Sequence, residues 1–336
     1  MKKRCALLAL IFTITWVFPF TVPPSQAQTK KPIVVMLDWA FGGKHSPFFI
    51  AIEKGSYRKK GISLKLERGY GGGKSILAVD QGLAKFCMED TIMTVMARSK
   101  GSTIKLIGML AERSPAGFAS LKEKPLTKPK DLEGTKLAMT AFTTQRQLIP
   151  VFARINRLAL DKIKVITMDG GVHIPALVRG DVDVVATWKG ANLPPFRLAA
   201  RKQGKELVFL GMSDWGLDIY SLGLMASEQT IRETPDLVRN FLEATYRGVE
   251  HAVKNPKEAV DALLKRHPEV SPAIARGQWD ESVELLRSKP RQMTGFGWID
   301  RKKMQFTIDT IVSAFNVKKV PTPEEVYTNA FLPQKR

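Results

Sequence analysis

Apolar and polar positions along this chain follow two different periods, and the switches between them mark its elements. Lys31 to Leu37 (KPIVVML) is a short β-rich run, with Asp38 and Trp39 placed where that strand would end. Pro47 to Lys54 (PFFIAIEK) reads as a helix, with proline at its start and Gly55 after its end. Gly61 to Leu66 (GISLKL) alternates in the manner of a half-buried strand. Gly71, Gly72 and Gly73 open a helix over Lys74 to Gln81, followed by short strands at Ala84 to Cys87 and Ile104 to Leu110. Strand, helix and strand recurring over about thirty residues predict βαβ units and a mainly parallel sheet.

A second series begins after Lys122 to Pro129, a Lys/Pro-rich connector. Thr135 to Thr140 is a strand, and Thr143, Thr144 and Gln145 cap a helix running to about Leu158. Lys162 to Met168 is a strand, Ile174 to Arg179 a helix closed by Gly180, and Val182 to Thr187 a buried strand. After Gly211 the pattern changes: Asp218 to Ala226 reads as extended, and Pro235 to about Thr310 as helical. The expected architecture is α/β: two lobes, with a helical tail that packs back on one of them.

Composition leaves that picture intact. The 336 residues are 44% hydrophobic and 25% charged, which excludes a disordered, collagenous or multi-span membrane chain. Charge is less ordinary, because 52 Lys and Arg against 32 Asp and Glu give +20. The basic residues are scattered through stretches such as Lys254 to Lys265, mixed with acids and without interleaved aromatics. Nucleic-acid binders concentrate charge into a patch or stripe, so a solvated basic surface attracted to an anionic membrane face is the better reading. Two cysteines exclude a disulfide scaffold, and no Cys or His pairing has metal-ligand spacing. No metal or cofactor is expected.

The N-terminus reads as an export signal. Lys2, Lys3 and Arg4 precede an uncharged, mostly apolar run from Ala6 to Phe18, and Ser25 and Ala27 put small residues at a cleavage site. At about 1.5 Å per residue that run reaches about 20 Å, short of the roughly 30 Å hydrocarbon core. Pro19, Pro23 and Pro24 interrupt any continuation. Cleavage after Ala27 leaves 309 residues, a charge of +17 and one cysteine, Cys87. Periplasmic localisation follows.

The residues in this order resemble a known family: periplasmic substrate-binding proteins of ABC importers, in the branch sharing the THI5/NMT1-like thiamine-pyrimidine synthase domain. The resemblance rests on Leu37-Asp38-Trp39 followed by His45, Ala51 to Tyr57 continuing to Lys60-Gly61-Ile62, and Gly71 to Gly73. It also rests on Lys128 to Gly134 and on Pro175-Ala176-Leu177 leading to Gly180 to Asp183. The family implies a type II-like binding-protein fold, with ligand in a cleft between lobes joined by two crossover strands. The crossovers are expected near Gly117 to Leu121 and Tyr220 to Leu224. Lobe 1 is then residues 28–117 plus 222–336, and lobe 2 is 118–221. The implied partners are an ABC permease and its ATPase, with no nucleic acid, membrane contact only through the permease, and a monomeric state.

In open α/β sheets ligands sit beyond the carboxyl ends of strands, against helix N-termini. That rule selects Asp38 and Trp39, Gly71, Gly72 and Gly73, Glu89 and Asp90, Thr143 and Thr144, Trp188, and Asp218 and Tyr220 at the second crossover; His45 joins them through the resemblance. Aromatic faces and carboxylates together suit a flat, nitrogen-rich ligand. Each also has a plainer role: Asp38, Asp90, Thr143 and Thr144 as helix caps, the tryptophans as core, the glycines as a turn. Gly69 to Ser75 imitates a phosphate-binding loop, but three residues separate Gly69 from Gly73 where four are required.

The family also has an enzymatic branch, which builds the thiamine pyrimidine from pyridoxal phosphate and one of its own histidines, and carries a cysteine-rich segment. Here Met93 stands at the histidine position, and Gly216 to Tyr220 (GLDIY) replaces the cysteines. The expectation is therefore a receptor without catalytic residues. Its expected ligand is an aminopyrimidine thiamine precursor or related N-heterocycle. The alternatives are an anion such as an alkanesulfonate, taurine, nitrate or an aromatic carboxylate, with Arg146 pairing it, or a sensory solute-binding domain.

Overall fold

The computed structural model describes residues 31–71, 73–141, 143–286 and 296–333; the expected signal segment and Gly72 lie outside the described residues. Among the described residues ten strands form two five-stranded sheets. The first contains β1 (Ile33–Met36), β2 (Leu64–Glu67), β3 (Phe86–Asp90), β4 (Ile104–Met109) and β10 (Leu222–Ser227), in the order β2-β1-β3-β10-β4. The second contains β5 (Ala116–Leu121), β6 (Lys136–Met139), β7 (Lys164–Thr167), β8 (Val184–Trp188) and β9 (Leu207–Gly211), in the order β7-β6-β8-β5-β9. Within each sheet four strands run one way, and the fourth in line, β10 or β5, runs against its neighbours. Each reversed strand is the one that enters from the other lobe. The order is thus the same in both halves, which makes each sheet mixed rather than purely parallel.

Among the described residues the chain passes from one sheet to the other through residues 110–115 and back through 212–221. Both passages fall just before the predicted crossovers, because β5 already pairs within the second sheet and β10 within the first. They run side by side: the Ala111 amide donates to the Leu222 carbonyl at 2.8 Å, and the Ser221 amide to the Ala111 carbonyl at 3.2 Å.

Helices cover both sheets. On the first, α1 (Ser46–Glu53), α2 (Lys74–Asp80) and α3 (Thr91–Ser99) follow strands in βα order. On the second, α4 (Thr144–Asn156), α5 (His173–Arg179) and α6 (Leu193–Arg201) do the same. The later chain adds α7 (Glu228–Glu233), α8 (Pro235–Lys254), α9 (Pro256–Leu264), α10 (Pro272–Leu286), α11 (Arg301–Phe315) and a short α12 (Pro323–Val326). Helix α8 buries Val238, Phe241, Leu242, Thr245, Val249 and Ala252, the three- and four-residue spacing of one helical face. That face lies on α1 so closely that a Cβ at Gly248 would strike the Pro47 carbonyl. Phe241 stacks on Phe86 of β3 at 4.0 Å, tying helix to sheet through the core.

The tail does not return to one lobe alone. Helices α8 and α9 pack on α1, but α10 also touches α6, and α11 touches both α3 and α4. Amphipathicity predicts that a helix buries one face, not which sheet receives it.

Candidate functional site

A cleft of about 580 Å³ opens between the sheets, lined from both. Its first wall is set by the loop after β1. That loop is zipped to the loop after β2: the Gly71 amide donates to the Asp38 carbonyl and the Gly69 amide to the Trp39 carbonyl, both at 3.0 Å. Gly71 has φ of +69°, and a Cβ there would sit 2.5 Å from the Trp39 ring. Glycine therefore lets the indole lie over the turn, which leaves Trp39 57% exposed on the cleft wall.

Asp38 beside it is buried and doubly held. Lys44 forms an ion pair with one oxygen, and His45 Nε2 lies 2.8 Å from the other. The Gly42 amide donates to His45 Nδ1 at 3.2 Å, so the ring proton is on Nε2 and points at Asp38. Burial alone would raise the Asp38 pKa; the Lys44 charge and the His45 bond outweigh it and hold the carboxyl well below its ordinary range. Burial likewise lowers the His45 pKa, despite Asp38, which keeps the imidazole neutral.

At the end of β3 stand Glu89 and Asp90. Asp90 caps α3, accepting from the Ile92 amide at 2.8 Å and the Ser221 hydroxyl at 2.7 Å. Burial raises its pKa, and those two bonds pull against the rise. Glu89 Oε1 accepts from the Asp90 amide at 3.1 Å, and Oε2 has no partner among the described residues. Burial, reinforced by Asp38, pushes the Glu89 carboxyl up to about 8.

The second wall comes from the other sheet. Thr143 caps α4, accepting from the Gln145 amide at 3.3 Å, and both Thr143 and Thr144 line the cleft. Thr187 and Trp188 close β8, His173 opens α5, and Phe196 of α6 meets the His173 ring edge-on at 5.7 Å. Helix α10 spans the two walls. Gln278 accepts from the Gly43 amide at 2.9 Å and donates to the Ala191 carbonyl at 3.1 Å. Glu281 accepts from the Gly190 amide at 2.7 Å and from Arg197 at 2.6 Å.

Of the predicted residues, Asp38, Trp39, Gly71, Glu89, Asp90, Thr143, Thr144 and Trp188 line this cleft. His45 lies behind Asp38, fully buried, and acts on the cleft only through that carboxylate. Gly73 is the left-handed residue before α2 and does not face the cleft. Asp218 and Tyr220 are corrected: neither lines it. Asp218 pairs with Lys303 at 2.8 Å, and the Tyr220 hydroxyl accepts from the Asp300 amide, because α11 packs over this passage. Asp38 caps no helix either; its oxygens are taken by Lys44 and His45. Lys44, His173, Thr187, Phe196 and Ser221 were not anticipated. The strand-end rule would have found Thr187 beside Trp188; nothing local marks His173.

Two mixed α/β sheets facing one cleft, joined by paired passages, define a periplasmic binding-protein fold. It resembles the periplasmic aliphatic sulphonate binding protein SsuA from Escherichia coli, with a TM-score of 0.68, 16% identity and coverage of 89% of this chain and 98% of that one. The NMT1/THI5 like family matches residues 43–259, and the chain belongs to that family. Among its relatives, riboflavin-binding protein RibY of Chloroflexus aurantiacus is 24% identical, over 94% of this chain and 90% of that protein. The formylaminopyrimidine-binding protein of Halalkalibacterium halodurans is also 24% identical, over 90% of each. Among the described residues no helix is long and apolar enough to cross a membrane, and no cluster of His, Cys, Asp and Glu could hold a metal ion.

Proposed function

We propose that this chain is an extracytoplasmic solute-binding receptor of an ABC importer, closing around an aminopyrimidine thiamine precursor or a related nitrogen heterocycle. The charge state of the cleft carries the reading. Asp38 stays ionised on one wall, and both cations among the described lining residues are already paired, Lys44 with Asp38 and Lys189 with Glu284. Each Asp38 oxygen bonded by Lys44 or His45 keeps a lone pair for an amino or ring N–H group. Glu89 Oε2 stands without a partner among the described residues on the same wall, with Trp39 and Trp188 to contact the ring faces. An anion would meet a carboxylate and no spare cation. Arg146, the residue expected to pair with an anion, bonds Thr167 at 2.9 Å instead and lies off the cleft. The names of the two relatives support a heterocyclic ligand. A fused-ring heterocycle is the second reading, favoured by a cleft whose volume sits mid-range for sites of about 300–1,000 Å³.

The receptor works by closure. Contacts made from both sheets exist only in the closed form, so ligand shifts an open–closed equilibrium at the two passages, residues 110–115 and 212–221. A permease and its ATPase then read the relative placement of the lobes. The protein is exported, begins at Gln28 after cleavage, and acts as a monomer; an intact mass retaining residues 1–27 would overturn the export reading. It does not turn ligand over. Met93, which lines the cleft from α3, supplies no imidazole where the synthase branch needs one.

Calorimetry on the Asp38→Asn variant tests the ligand class. Losing the carboxylate frees the Lys44 ammonium, so an aminopyrimidine should bind at least tenfold more weakly, while an alkanesulfonate should gain. Tight sulfonate binding by the unaltered protein, with no affinity for any aminopyrimidine, would sink the heterocycle reading and leave the fold untouched.

A further inference from the structure

Buried polar atoms without partners are rare in folded proteins, and each asks for a reason. Among the described residues they fall on six side chains, and three of these face the cleft: Glu89, His173 and Thr187. Glu89 belongs to the wall that carries Asp38. The other two stand opposite, Thr187 in β8 of the second sheet and His173 at the start of α5.

We infer that His173 and Thr187 form a second polar subsite, taking an uncharged hydroxyl or carbonyl group at the end of the ligand away from its amino edge. This rests on the heterocycle reading above and sharpens it. His173 is 3% exposed and Thr187 1%. Neither ring nitrogen of His173 nor the Thr187 hydroxyl has a hydrogen-bond partner among the described residues. The Met168 carbonyl offsets part of the effect of burial on the ring without reaching bonding geometry. The imidazole is held in place by the edge of Phe196 and by its position as the first residue of α5. Thr187 is fixed by strand pairing with Gly117 of β5, where the Phe209 ring fills the place a side chain would take.

The chemistry of the pair selects the group. Burial lowers the His173 pKa, so the ring is neutral and offers one N–H and one lone pair. Thr187 adds one donor and further acceptor capacity. Such a pair matches an alcohol or a lactam edge, which also donates and accepts. It is a poor site for a sulfonate or phosphate, whose oxygens demand several donors or a cation. Burial leaves each group short of a hydrogen bond within the protein, and a ligand hydroxyl supplies one on closure.

The test compares two probes by calorimetry, a 4-aminopyrimidine bearing a hydroxymethyl substituent and its methyl counterpart. The hydroxymethyl compound should bind about tenfold tighter to the unaltered protein, one hydrogen-bonded hydroxyl being about one decade in affinity. Thr187→Val, nearly equal in shape, and His173→Leu should each narrow that ratio to within about twofold. A ratio that survives both substitutions overturns the subsite, as does a phosphorylated probe that binds best and depends on His173. If neither pyrimidine binds, the heterocycle reading fails by itself. The subsite is then decided on ligand-free protein by ¹⁵N spectra of its imidazoles: a neutral His173 ring free of hydrogen bonds upholds it, and a cationic or protein-bonded ring at pH 7 overturns it.

Discussion

Glu89→Gln exchanges a carboxyl for an amide of nearly equal volume at a position only 4% exposed. In the folded protein burial, then Asp38 and Asp90, favour the protonated acid, while the Asp90 amide and Lys44 oppose them in part. The pKa moves from the ordinary 4.5 to about 8. A raised carboxyl pKa means that the native state keeps a proton which the unfolded chain releases. The associated stability is fully present below about pH 4.5 and is lost as pH rises through about 8. At about 1.36 kcal/mol per unit, the whole effect is on the order of 5 kcal/mol, a ceiling that water in the open cleft reduces. Urea unfolding of ligand-free protein from pH 6 to 9 measures it. The unaltered protein should lose stability with a slope approaching one proton, about 1.4 kcal/mol per pH unit, that levels off above about pH 8, and Glu89→Gln should remove that slope. Burial lowers both His45 and His173, so their contribution rises with pH up to about 6.5, the unfolded value, and is opposite in sign to that of Glu89. Taking the difference between variants cancels every other group they share. Parallel curves, or a variant less stable at pH 9, would refute the assignment of a neutral Glu89.

Three other outcomes are expected. Trp39→Ala should weaken heterocycle binding at least tenfold in calorimetry, because ring stacking contributes about 0.5–1.5 kcal/mol beyond the area buried. Glu281→Ala strips Arg197 and the Gly190 amide of their acceptor, so ligand-free protein should open and its radius of gyration by small-angle scattering should rise; an unchanged radius would remove α10 from the closure mechanism. Gly248→Ala drives a methyl into the Pro47 carbonyl and the Ala51 side chain, and should cost about 1–3 kcal/mol in chemical unfolding.

Much of this molecule is written locally. The alternation in Leu64–Glu67 and the apolar run of Val184–Trp188 are enough to place strands, because burying one face or both imposes its own period. Asp90 and Thr143 cap their helices by bonds that reach two residues along the chain, so residue type and position reveal the role. The first wall of the cleft follows from the same logic: Asp38, Trp39 and Glu89 stand at strand ends. What the local pattern cannot carry is the direction of a side chain whose partners come from far away. Asp218 and Tyr220 lie in the second passage between the sheets, yet α11, some eighty residues later, supplies Lys303, Asp300 and Thr307 and takes them from the cleft. His45 sits seven residues from Asp38, a separation with no periodic meaning until the turn at Gly43–His45 folds the imidazole beneath the carboxylate. The charge of the site was equally hidden. A neutral Glu89 and an ionised Asp38 are the same chemistry in sequence, and only the depth of burial and the nearness of Lys44 separate them.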